Sequence, residues 1–307
     1  MLIRNRLDQL PALGVPLHLA LGVFDGVHVG HQAVIARAVG AAARSGGMSG
    51  VLTFDPHPLR VLAPERAPST LLTSLDDKAK IVCDLGIGLF IPLHFDATFA
   101  RLEAEEFFQQ LVAAPIRTLA VGEDWRFGQG RHGDVDFLSA RAACGGFVLE
   151  VVPPVMLDGD RVSSTRIRQA LRDGSIEAAA AMLGRPCTVS GRVLTGRKLG
   201  RQLGFPTANV AVGEVLTPPD GVWAVRVTNG DGRPLPGVAN LGVRPTVDGT
   251  TRLLEVHLLD FSADLYDQKI EVAFVKFLRA ETKFPSLDAL REQIQQDVMA
   301  ARGCLTE

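Results

Sequence analysis

A chain of 307 residues is longer than one hydrophobic core usually sustains, so two domains are expected. Hydrophobic residues make up 47% and charged ones 21%, which excludes a disordered chain; a formal net charge of -2 excludes the strongly basic surface of a nucleic-acid or membrane-surface binder. The cysteines Cys83, Cys144, Cys187 and Cys304 are scattered and form no CxxC pair, so neither a zinc site nor a disulfide framework is expected. No apolar run nears the ~20 residues that span a bilayer, and no apolar stretch precedes a small-residue cleavage site near Met1. A cytoplasmic protein is the expectation.

Along the chain, residues 17–23 read as a buried strand and 31–44 as an alanine-rich helix. Strands follow at 50–54, 88–93, 116–121 and 147–152, alternating with helices at 76–85, 103–113 and 135–144. Two more helices are expected at 165–172 and 176–183. Near-continuous apolar strands separated by helices predict an α/β domain with a parallel sheet covered on both faces. Ligands of such sheets bind beyond the carboxyl ends of the strands. After Gly184-Arg185-Pro186 the texture changes to β-type runs at 187–194, 222–228, 238–241, 253–261 and 270–277, punctuated by glycine and proline. Asn229-Gly230 and Asp231-Gly232 are hairpin signals. This part reads as an antiparallel barrel or sandwich, closed by a helix from the N-cap Ser286 to about Arg302, with Gly303 after it. The expected domains are 1–183 and 184–307.

The segment GVFDGVHVGH (22–31) joins the first strand to the first helix. His28 and His31, three apart at a helix start, can face the same way and add imidazole donors to free backbone N–H groups and the positive end of the helix dipole. Gly26 and Gly30 let backbone approach a ligand closely. Together these features suit a polyphosphate; a metal pair or two surface histidines is the alternative. TFDPHP (53–58) and VGEDWRFG (121–128) also follow strands, and their aromatics could grip a flat ring or simply plug the core. In VSSTRIR (162–168), hydroxyls at a helix start and arginines one turn in make either a phosphate clamp or an ordinary capped helix.

In the second part, GRKLGRQLGFPTAN (196–209) is a glycine-studded loop with three cations, Arg197, Lys198 and Arg201. Thr207 and Asn209 offer oxygens of the kind Mg²⁺ accepts beside phosphate. A basic hairpin without function is the alternative. Residues 253–258 alternate, so Glu255 and His257 share one strand face, where a carboxylate is suited to take a proton from an attacking hydroxyl.

These motifs, with GVWAV (221–225), GVANLGVRPTV (237–247) and LEVHLLDF (254–261), resemble in content and order the bacterial bifunctional riboflavin kinase/FMN adenylyltransferase family, the FAD synthetases. The resemblance spans nearly the whole chain. It implies a Rossmann-like nucleotidyltransferase domain of α/β type followed by an antiparallel β-barrel flavokinase domain with a terminal helix. Riboflavin would be phosphorylated to FMN, and FMN adenylylated to FAD and pyrophosphate. On this resemblance His28 and His31 are catalytic and touch ATP phosphates, while Gly22, Phe24, Asp25, Gly30, Ser164, Thr165 and Arg168 bind that ATP. Phe54, Asp124 and Phe127 line a flavin pocket. Gly200, Thr207 and Asn209 bind the kinase ATP, the last two also Mg²⁺, and Glu255 is the base on the ribityl 5′-hydroxyl. The partners implied are riboflavin, FMN, FAD, ATP and ADP, with no nucleic acid and no membrane; the oligomeric state is not legible. Trp125, Trp223 and Val243 depart from the usual residues, all by apolar or aromatic exchange. A nucleotidylyltransferase for another phosphorylated substrate leaves the second domain unused, and a flavin-binding regulator has no use for a base.

Overall fold

The computed structural model describes residues 1–195, 199–229, 232–246 and 249–305. The chain forms two compact units, Met1–Ser164 and Thr165–Glu307. In the first, β1 (Leu2–Ile3), β2 (Leu17–Leu21), β3 (Met48–Asp55), β4 (Leu89–His94), β5 (Ile116–Gly122) and β6 (Val148–Val152) make a six-stranded sheet in the order β1-β4-β3-β2-β5-β6. Every pairing is parallel, as the unbroken apolar strands imply. The crossovers are α1 (Val29–Ser45), α2 (Pro58–Leu62), α3 (Leu75–Asp84), α4 (Ala104–Val112) and α5 (Val135–Gly145). A short hairpin, β7 (Met156–Leu157) with β8 (Asp160–Arg161), follows the sheet.

Strand alternation divides the buried residues between two faces. Ala20, Val51, Phe90 and Ala120 meet Val34, Ile35 and Ala38 of α1 and Val82 of α3. Leu19, Leu21, Leu52, Ile91 and Leu119 meet Phe107, Phe108 and Leu111 of α4. Alanines on the α1 side let that helix sit close to the sheet. From β2 the chain steps outward to β3 and β4, then returns to place β5 on the other side. The switch point therefore lies between β2 and β5, and the cleft beyond their carboxyl ends is where such a sheet binds ligands.

The second unit begins within α6 (Ser164–Arg172) and continues through α7 (Ile176–Leu183). The compact units thus part about twenty residues before the change of texture at 184. Next come β9 (Cys187–Leu194), the short α8 (Leu199–Gln202), β10 (Ala208–Ala211), β11 (Gly221–Thr228), β12 (Pro234–Thr246), β13 (Gly249–Leu258) and β14 (Lys269–Arg279). These strands close a barrel in the order β10-β13-β12-β11-β14-β9, with all pairings antiparallel. The barrel alternative is the one realised, not the sandwich. β11 and β12 form the expected hairpin, where Gly232 N donates to Asn229 O at 2.9 Å; Gly230 and Asp231 of that signal lie outside the described residues.

The last helix, α9 (Leu287–Leu305), packs Ala301 and Leu305 on Val222, Ala224 and Val238 of the barrel wall. It runs through Gly303 instead of stopping before it, because burial of Leu305 outweighs the ~1 kcal/mol a helical glycine costs. The buried carboxylate of Asp297 on α9 accepts from the guanidinium of Arg279 on β14 at 2.8 and 2.9 Å. All four cysteines are free, and burial pushes the Cys187 thiol up to about 11.

Candidate active sites

The loop after β2 builds the first site. Phe24 (φ 50°), Gly26 (φ 83°) and Val27 (φ 41°) all take left-handed backbone, so the chain reverses sharply before α1. Phe24 and Val27 are fully buried anchors, and the Phe24 ring folds back over Gly22, where an added Cβ would stand 2.8 Å from it. Polar groups hold the rest. Asp25 Oδ1 accepts from Leu72 N at 2.9 Å, Gly26 N donates to Thr73 Oγ1 at 3.3 Å, and Ser164 Oγ donates to the Asp25 carbonyl at 2.9 Å.

The reversal sets His28 as the N-cap of α1, whose first residue, Val29, lies two residues before the expected helix start. His28 Nδ1 accepts from His31 N at 3.3 Å. An accepting Nδ1 places the proton of the neutral ring on Nε2, leaving that edge as a donor. The two imidazoles stack with centroids 3.5 Å apart at 18°, and His31 meets Phe24 edge-on at 5.3 Å. Gly30 makes room for this stack, since a Cβ there would lie 3.1 Å from the His28 ring. The structure therefore brings Gly22, Phe24, Asp25, Gly30, His28, His31 and Ser164 into one construction. Of these, Gly22, Phe24 and Asp25 shape the loop from within. Thr165 and Arg168 follow Ser164 on α6 in the second compact unit.

The aromatic segments after β3 and β5 meet. The Phe54 and Trp125 rings are parallel, centroids 6.3 Å apart at 9°, and Trp125 and Phe127 lie 6.5 Å apart at 20°. Phe54 and Phe127 are buried in a cluster with Phe95, Phe99 and Phe107, so they back a wall more than they offer an open face. Trp125 is only half-buried, and its Nε1 is buried with no partner among the described residues. Asp124 is exposed and paired with Arg161 at 2.7 Å. Trp125, which lies in the segment whose aromatics were expected to grip a ring but was not itself named for the flavin, is the ring best placed to contact a ligand.

The second site is written on barrel strands. Asn209 of β10 and Asn240 of β12 both pair in register with Glu255 of β13, so the three side chains form a row across three strands. Their neighbours Val210, Leu254 and Val256 point into the barrel; the row lies on its outer face. Asn240 Nδ2 donates to Glu281 Oε1 at 2.8 Å, while Asn240 Oδ1 is buried and accepts from nothing among the described residues. Gly242 leaves space for that carboxylate, as a Cβ there would sit 2.6 Å from Glu281 Oε1. His257 Nδ1 bonds the Pro206 carbonyl at 2.8 Å, its ring set edge-on to Phe205 at 5.5 Å, which fixes the segment leading to Thr207. Gly200 presses on the same segment: its carbonyl accepts from Phe205 N at 2.8 Å, and a Cβ would meet Phe205 O at 2.4 Å and Thr207 Oγ1 at 3.2 Å.

The structure thus brings Gly200 against Thr207, and Asn209 beside Glu255. Gly196, Arg197 and Lys198 lie outside the described residues. Asn240 and Glu281 went unseen in the sequence; only the alternation of β12 could have placed Asn240 beside Glu255. The donor set is all oxygen, including the orphaned Asn240 Oδ1, which suits a hard divalent cation shared with phosphate. Among the described residues no three His, Cys, Asp or Glu side chains converge as a metal cluster.

A riboflavin kinase family model matches residues 183–305, and an FAD synthetase model matches residues 14–166. The bifunctional riboflavin kinase/FMN adenylyltransferase of Escherichia coli (strain K12) is 41% identical over 300 residues, which is 97% of this chain and 95% of its own. The Pseudomonas fluorescens protein of the same description is 45% identical over 286 residues, 92% and 91% of the two chains. A crystal structure from Streptococcus pneumoniae, described as a macrolide-efflux protein, shares the fold with a TM-score of 0.85 and 30% identity over 98% of each chain. Here, among the described residues, no helix is long and apolar enough to cross a membrane. With one family model on each half and relatives above 40% identity end to end, the chain belongs to the bifunctional riboflavin kinase/FMN adenylyltransferase family.

Proposed function

We infer that the chain makes FAD from riboflavin in two ATP-dependent steps, phosphorylation to FMN and then adenylylation of FMN with release of pyrophosphate. The observation that carries this reading is the pairing of two unlike sites on one chain, a histidine stack at a helix start and a carboxylate on a barrel strand. The working domains are 1–183 for adenylyl transfer and 184–307 for the kinase, in the cytoplasm.

In the kinase step, Glu255 accepts the proton of riboflavin's terminal hydroxyl as its oxygen attacks the γ-phosphorus of ATP and ADP leaves. A rigid strand holds the carboxylate, so little is lost in orienting it. Thr207 and Asn209 would hold Mg²⁺ together with the ATP phosphates, and Gly200 would let backbone come near them. The cation, when bound, neutralises charge on those phosphates. In the second step the FMN phosphate, already ionised, attacks the α-phosphorus of another ATP and needs no base. His28, donating from Nε2, and His31 stabilise charge developing as pyrophosphate departs. Ser164, Thr165 and Arg168 serve that ATP, while Phe54, Asp124, Trp125 and Phe127 serve the flavin.

A chromatographic time course with riboflavin, ATP and Mg²⁺ tests the reading. FMN rising first and FAD after it is expected. Supplied FMN left unconverted would remove the adenylyltransferase, and riboflavin left unconverted would remove the kinase.

A further inference from the structure

Beneath the histidine loop lies a buried ammonium that the mechanism above leaves unused. Lys78, on the first turns of α3, is 6% exposed. Its Nζ donates to the Val23 carbonyl at 2.8 Å and to Thr53 Oγ1 at 3.3 Å, and Thr53 Oγ1 donates to the same carbonyl at 2.8 Å. A small cavity beside it is lined by Asp25, Asp55, His57, Thr73 and Lys78. Charged and titratable groups face it from each neighbour: Asp25 from the loop after β2, Asp55 and His57 from the end of β3. Its own helix carries Asp76 and Asp77 in the first turn, with Asp77 bonded to Ser74.

Burying an ammonium is costly, and an apolar side chain of similar size would fill the space more cheaply. A lysine kept here calls for a reason other than packing. Val23 opens the loop that ends on the His28 cap, and the left-handed residues between them leave that loop little support from regular structure. Three ties come from the segment leading into α3: Leu72 N to Asp25, Thr73 Oγ1 from Gly26, and Lys78 to Val23. Lys78 is the charged one.

We propose that Lys78 is a positioning residue for adenylyl transfer: its ammonium clamps the Val23 carbonyl between β2 and β3 and so sets where His28 presents Nε2. The inference rests on the reading of the His28 and His31 site given above. Desolvation by burial lowers the Lys78 pKa to about 8, against the opposing pull of Asp25 and Asp55, so the clamp loses its charge within an accessible pH range.

The test uses the full chain. Because Lys78 lies in the first compact unit, an unfolding transition of that unit above the assay temperature reports that the variant is folded, and riboflavin phosphorylation serves as the internal activity standard. Lys78→Met is expected to lower kcat for FAD formation from FMN by about tenfold or more, the size of a sub-ångström to 1 Å misplacement, with KM for FMN and ATP little changed. Riboflavin phosphorylation stays at the wild-type rate. In the wild type, kcat for FAD formation falls as pH rises through about 8. Lys78→Arg, which holds its charge, moves that fall to higher pH. Thr53→Val, which removes one acceptor and leaves the ammonium, produces a smaller loss. The proposal is overturned if Lys78→Met keeps wild-type kcat, or if Lys78→Arg is active with an unshifted pH profile, which would make the lysine structural only. His28→Ala separates the two ideas: should it form FAD normally, the site reading itself fails, whatever Lys78 does.

Discussion

The two units place comparable chemistry on opposite kinds of support. In the barrel, Asn209, Glu255 and Asn240 are aligned by strand register, and the ladder hydrogen bonds that make the fold also aim the side chains. In the parallel sheet the functional groups sit in loops beyond the strands. Their aim depends on buried polar ties from Asp25, Thr53, Thr73 and Lys78. Register is insensitive to any one side chain, whereas a loop site fails when one tie is cut. The first site should therefore be the more sensitive to substitutions that touch no substrate.

The largest expected effects separate the halves outright. His28→Ala should lower FAD formation by ~10²–10³, the usual cost of one donor to developing charge, and leave FMN formation intact. Glu255→Gln should lower FMN formation by ~10²–10⁴ and leave conversion of supplied FMN intact. Rates of both reactions on each variant check this, and loss of both activities from either change would mean that the two sites are not independent.

Next comes the barrel's one-sided dependence on its terminal helix. Asp297→Ala removes the carboxylate that ties Arg279 to the helix. Because Arg279 is partly exposed and keeps its bonds to the Ala280 carbonyl and Thr282 Oγ1, the change should cost the second unit about 1–3 kcal/mol. Heating should then abolish riboflavin phosphorylation at a lower temperature than FAD formation from FMN. Simultaneous loss of both would show that the units unfold as one. The loop counterpart is Gly22→Ala, which drives a methyl into the Phe24 ring and should cost the first unit about 1–3 kcal/mol. Here FAD formation should suffer and the kinase should not. An unchanged FAD rate would show that the loop tolerates displacement and would weaken the contrast.

Much of this was legible because periodicity carries it. The all-buried strands announced a parallel sheet, and alternation along 253–258 put Glu255 and His257 on one face. What escaped was set by contacts distant in sequence. β10 was hidden inside the PTAN motif, which reads as a loop until β9 and β13 flank it. β1, two exposed residues on the edge of the sheet, has no pattern to detect. Asn240 acquires meaning only through Glu255 and Glu281, fifteen and forty-one positions away. Lys78 carries no signal within the expected helix at 76–85, because nothing local says that its ammonium is inside. The histidine pair was the easier half, since a spacing of three at a helix start is local; that His28 caps the helix, ahead of the expected start at 31, was not read.

The smallest effect concerns stability and points opposite to activity. With its pKa near 8 in the fold and near 10.5 when unfolded, Lys78 binds fewer protons folded than unfolded between those values. Stability of the first unit should then rise with pH across that window, by up to about 1 kcal/mol from pH 8 to 9, and the gain should disappear again as pH falls through 8. Subtracting the same curve for Lys78→Met removes the contributions of every other group. The difference should be flat below about pH 7 and climb above 8, while FAD formation falls over the same range. A buried lysine present for stability would instead lose stability and activity together as it gives up its proton. Opposed slopes identify a charge that the fold tolerates because the loop site needs it, a cost the strand-built site of the barrel does not carry.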